Sequence, residues 1–134
     1  MDFLRKRMAK RVRELYPLKL RITPNNEMAL YNRKCHLNAI EAVNIGKATG
    51  VVECVVICDE NEPILHYINI DAEGNYIDYT LGRQFLSFDY HYVRLIKETD
   101  YDNIWNIFRK AKFNLVSTVT PRFITKLLPT NDLC

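Results

Sequence analysis

A cysteine, a histidine and an aspartate occur in the order Cys35, His66, Asp78. Together they are the parts of a thiol nucleophile, the base that deprotonates it and the carboxylate that orients that base. Cys35 opens the apolar-periodic stretch KCHLNAIEAVNIGKATG, His66 lies in the alternating run PILHYINID, and Asp78 follows the Glu-Gly turn of AEGNYIDYTLG. A cysteine in the first turn of a helix feels the positive end of the macrodipole, which favours the thiolate, and Arg33, Lys34 and His36 beside it act in the same sense. Should the turn centre on Glu73, His66 falls opposite Thr80 and Asp78 opposite Ile68. The imidazole and carboxylate are then diagonal neighbours on one face. A register slipped by one residue would separate them.

These residues need a scaffold, and the pattern of the chain supplies one. Residues 2 to 15 read as a basic amphipathic helix with Phe3, Leu4, Met8, Val12 and Leu15 at helical spacing, ended by Pro17. Residues 19 to 23 read as an edge strand, and PNNEM at 24 to 28 as a turn. Asn32 is the expected N-cap of a helix over 33–48, with Gly46 and Gly50 at its end. Strands are expected over 51–58, 64–70, 75–80 and 90–98. Thr99 or Asp100 is expected to cap a helix carrying Ile104, Trp105, Ile107, Phe108 and Ala111, and Pro121 to start a short helix over 121–128. The sum is α+β, with helices on one face of a meander of about four antiparallel strands.

The 134 residues suit a single domain, 1–134, with its core at 33–98, a basic N-terminal helix and C-terminal helices. No run of eighteen apolar residues is present, which excludes a spanning helix, and no secretory h-region is seen. Cys54 and Cys58 lie four apart on one strand, too far for a disulfide or a shared metal, and read as small buried hydrophobes. Cys134 reads as a free terminal thiol. A reducing, cytoplasmic setting with no metal and no cofactor is the expectation. The net charge of +3 conceals a basic start, with eight Lys or Arg against two acidic residues in 1–21. This raises nucleic-acid binding as an alternative, although no recognised motif accompanies it. The twelve Asn and twelve Ile fit an AT-rich genome such as many bacteriophages have.

Cys35 followed by Asn38-Ala39, then Gly50-Val-Val-Glu53, Pro63-Ile-Leu-His66-Tyr67 and Gly74-Asn-Tyr-Ile-Asp78-Tyr-Thr80, resembles a transglutaminase-like or papain-like core over about residues 33–95. The resemblance implies Cys35 as nucleophile, His66 as general base and acid, Asp78 as orienter, and Asn32 as the candidate oxyanion-hole side chain beside the Cys35 N–H. It departs from the family pattern at His66-Tyr67-Ile68, where His-Ala-Trp is usual, and at Cys54, where Gly is expected. It implies a cysteine hydrolase or acyl-transferase acting on an amide, isopeptide or thioester of a protein or peptide substrate. The alternative is a non-catalytic interaction or inhibitor protein, phage-encoded, that uses its basic helix to hold a partner or nucleic acid. His91 is the second choice for the base and Asp71 the rival orienter, placed on the opposite face from His66 by strand alternation.

Overall fold

The computed structural model describes residues 2–25, 31, 33–81 and 87–120. The chain opens with α1 (Asp2–Leu15) and a two-residue strand β1 (Lys19–Leu20), then enters α2 (Cys35–Asn44). Strands β2 (Gly50–Ile57), β3 (Pro63–Ile70), β4 (Tyr76–Ile77) and β5 (Asp89–Ile96) follow, and α3 (Ile104–Val119) comes last among the described residues. The fold is α+β with one antiparallel five-stranded sheet in the order β1-β5-β2-β3-β4.

That order corrects the expected meander of about four strands. β2, β3 and β4 do run as consecutive hairpins, but β5 crosses to the far side of β2 and pairs with it from Val51↔Ile96 to Ile57↔Asp89. β4 pairs with β3 at only two positions. The chain leaves the ladder at Asp78, so the edge beside β3 is open to a side chain along most of its length.

The three helices bury one face of the sheet. Ala9 and Val12 of α1, Cys35 and Ala39 of α2, and Ile104, Phe108, Leu115 and Val119 of α3 share a cluster with Val51, Val55, Leu65 and Tyr67. On the other face Leu20, Ile22, Val52, Cys54, Val56, Ile68 and Tyr90 form a second buried cluster. Burial explains the attachment of α1 better than its charges do. Fully burying an aliphatic side chain is worth roughly 1.5–3 kcal/mol. An exposed pair such as Arg5–Glu60, at 2.9 Å, contributes about 0–1 kcal/mol. No helix among the described residues is long and apolar enough to cross a membrane.

Helix ends differ from their expected places for local reasons. Arg33 has a left-handed φ of 55°, which keeps it out of α2 and makes Cys35 the first helical residue. Lys34 occupies the N-cap without a side-chain hydrogen bond. At the other end Gly46, at φ 81°, turns the chain before residue 48. A 3-10 segment over Glu98–Asn103 takes up the residues expected to begin the last helix, which starts at Ile104. The helix expected over 121–128, the Asn32 cap and Cys134 lie outside the described residues.

Candidate active site

The β3–β4 hairpin is set by Asp71. Its Oδ1 accepts the N–H groups of Glu73 and Asn75, both at 2.9 Å, while Gly74 supplies a φ of 85°. This is the whole role of the rival orienter: it builds the turn and does not approach His66. The turn centres on Glu73, since Asn69 pairs with Ile77 and Ile70 with Tyr76. Extending that register puts His66 and Asp78 on one face, and they meet there, with His66 Nε2 2.9 Å from Asp78 Oδ2.

Asp78 is fully buried, and burial works against its charge. The neighbouring His66, with hydrogen bonds from His66, Tyr90 and Leu81, outweighs that cost and holds the carboxyl below its usual range. Oδ1 accepts the N–H of Thr80 at 2.8 Å and of Leu81 at 3.0 Å. Oδ2 accepts His66 and the Tyr90 hydroxyl, the latter at 2.6 Å. A carboxylate can only accept, so His66 Nε2 carries the proton of that bond. Nδ1 is then the basic nitrogen, and among the described residues it is buried without a hydrogen-bond partner.

Cys35 arrives at the open edge of β3. Its Sγ accepts the backbone N–H of Tyr67, the residue after His66, at 3.4 Å. One turn along α2, Asn38 clamps the helix to the Asp78 loop. Its Nδ2 donates to Thr80 Oγ1 at 2.9 Å and to the Tyr31 carbonyl at 2.8 Å, and its Oδ1 accepts the Tyr31 N–H. A second tie runs from Asn69 Nδ2 to the Ala39 and Gly50 carbonyls. Hydrogen bonds at three levels thus tie α2 to β3 and to the Asp78 loop. Cys35, however, lies in the helix-side cluster with Leu65 and Tyr67, while His66, between those two on β3, faces the other side of the sheet with Tyr90. Among the described residues no hydrogen bond joins Cys35 Sγ to His66 Nδ1.

Two features go against the simplest thiolate picture. Cys35, His66 and Asp78 are each 0 % exposed. In addition, Cys35 is disulfide-bonded, which corrects the expectation of a fully reduced chain. Cys54 and Cys58 are free thiols, and the fourth cysteine, Cys134, is outside the described residues. Cys54 lies opposite His66 in the ladder and its thiol donates to the His66 carbonyl at 3.4 Å. Burial, then Asp78 and Glu53, push the Cys54 thiol well up and keep it protonated, so it is no rival nucleophile.

The remaining histidines have other surroundings. His36 turns away from Cys35 and packs on the rings of Trp105 and Phe108. His91, the alternative base, donates from Nδ1 to the Tyr16 carbonyl at 2.7 Å and fastens the end of α1. Tyr90, one residue earlier, is the neighbour that reaches Asp78, and sequence reading assigned it no role. Asn38 and Thr80 stood in the quoted pattern without a function. Among the described residues no group of three or more His, Cys, Asp or Glu is placed to hold a metal ion. No family model, curated protein or solved structure matches the chain.

Proposed function

We propose that this chain is a thiol-dependent hydrolase or acyl-transferase with a papain-like or transglutaminase-like core, acting on an amide, isopeptide or thioester bond. The observation that carries the reading is the His66–Asp78 pair. Asp78 holds Nε2 and leaves the basic Nδ1 of His66 buried without a partner, while the Cys35 sulfur rests on the N–H of the adjoining residue. This is the polarity a Cys–His–Asp mechanism needs. A reducing dithiol must first attack the Cys35 disulfide by thiol–disulfide exchange, leaving both protein sulfurs as thiols and the dithiol oxidised to its own disulfide. The Cys35 proton then passes to His66 Nδ1, and the thiolate attacks the carbonyl carbon. The tetrahedral oxyanion faces the backbone N–H groups at the start of α2. His66 returns the proton to the departing amine or thiol, leaving a thioacyl enzyme. Water or an acceptor amine, deprotonated by His66, then displaces Cys35 as thiolate.

The experiment is differential alkylation. After mild reduction of the native protein, iodoacetamide at neutral pH should label Cys35 well ahead of Cys58, and His66→Ala should abolish that lead. Cys58 is partly exposed, but burial, Glu62 and Asp59 push its thiol up to about 12 and slow it. The loss of the lead in His66→Ala, and not the lead alone, therefore carries the reading. Labelling of Cys35 only after unfolding would overturn the reading. A second reading rests on the complete burial of all three residues. In it the His–Asp pair is a structural remnant and the protein acts by contact, through the outward basic face of α1. Binding of a duplex or single-stranded DNA probe that weakens steeply with salt would favour that reading.

A further inference from the structure

We infer that Tyr90 is a positioning residue for the His66–Asp78 pair, its hydroxyl fixing the Asp78 oxygen that holds the imidazole. The inference rests on the catalytic reading above and adds a fourth member to the site.

Tyr90 lies on β5, separated from β3 by the whole of β2, so its ring reaches across the middle strand to Asp78. It is 1 % exposed, and burial together with Asp78 pushes its hydroxyl far up, so it remains a donor. The 2.6 Å bond is the shortest that Asp78 receives. A carboxylate held only by His66 could rotate about its last torsion when the ring changes charge. Here Oδ1 is pinned by two backbone N–H groups and Oδ2 by Tyr90. The orienting carboxylate is therefore in place whatever the imidazole does, the preorganisation that a charge-forming step requires. Sharing also tempers the pair, because the charge on Oδ2 is divided between two donors.

A purely structural tyrosine would need an acceptor somewhere, and Asp78 would serve. The two roles differ in what Tyr90→Phe changes. This variant keeps the ring that packs edge-on to His66 at 6.4 Å and deletes one O–H. If Tyr90 positions the pair, the low-field His66 Nε2–H proton resonance moves further downfield, since that donor now has Oδ2 to itself. Alkylation of reduced Cys35 falls about tenfold, the order of one buried hydrogen bond, and the acid edge of its pH–rate profile moves. An unmoved resonance with a uniformly scaled profile would overturn the inference. Should Tyr90→Phe fail to fold, uniform 3-fluorotyrosine substitution makes the O–H a stronger donor and should shift the same resonance upfield; no shift there would equally refute it. The resonance does not depend on Cys35 chemistry. A wild-type protein whose Cys35 shows no preferential labelling would therefore sink the catalytic reading, while the resonance still decides whether Tyr90 governs the pair.

Discussion

An ionised carboxylate without solvent contact persists only when its acceptor sites are filled, and Asp78 fills four, two on each oxygen. Asp78→Asn tests how much depends on them. The amide turns one oxygen into an N–H₂, so donors that Asp78 satisfied would face another donor. With two left unpaired, at about 1–3 kcal/mol each, unfolding free energy should fall on the order of 3 kcal/mol. Urea unfolding of the variant checks this, and a loss under about 1 kcal/mol would show that the network relaxes freely. Such residue-level detail was half legible in the sequence. Cys35, His66 and Asp78 stood out as candidates because each type is chemically distinctive. Cys35 and His66 sat on readable elements, whereas Asp78 lies just past Ile77, where its expected strand ends. Tyr90 was not, because in Tyr90-His91-Tyr92 only the pairing of β5 with β2 decides which side chain faces Asp78. The burial of Cys35 was equally hidden, since a helix start is ordinarily open to solvent.

At the level of elements, the register of the β3–β4 hairpin followed from its turn residues, because Asp71, Glu73 and Gly74 form a local device that needs no distant partner. The place of β5 did not follow. Its pairing with β2 depends on contacts far apart in sequence and on a bulge between Glu53 and Cys54. Beside that bulge Arg94 and Val93 both turn toward the helices, and Arg94 Nε reaches Glu53 Oε2 at 3.0 Å. The element whose placement matters most for chemistry is α2, and Asn38 is its clamp. Asn38→Ala deletes three hydrogen bonds, two to Tyr31 and one to Thr80. At about 1 kcal/mol each, stability should drop by roughly 3 kcal/mol. Amide exchange should quicken at Tyr31, whose N–H loses its acceptor. Thr80→Val, which removes a single bond, should cost about 1 kcal/mol. If exchange at Tyr31 is unaltered in Asn38→Ala, Asn38 does not hold the Tyr31 segment to α2.

Taken as a whole, the molecule buries acids that it keeps neutral. Burial, then Asp78 and Glu53, raise Cys54; burial with Glu62 and Asp59 pushes Cys58 to about 12; Tyr67 and Tyr90 are raised by burial and by Glu53 and Asp78 respectively. In the unfolded chain, thiols ionise near pH 8.5 and tyrosines near pH 10. Each group is therefore more readily ionised unfolded than folded. The stability it contributes is complete below its unfolded value and is lost as pH rises toward its folded one. The urea midpoint should thus hold steady from pH 7 to about 8.5 and decline from there toward pH 12, the thiols acting first. A Cys54→Ala, Cys58→Ser variant separates the contributions. Its decline should begin about one and a half units later, at the tyrosine range, because the raised tyrosines Tyr67, Tyr90 and Tyr101 remain to drive it. An onset at the same pH as wild type would mean that the buried thiols do not set the alkaline limit, and that the charges around Asp78 and Glu53 are better screened than their burial implies.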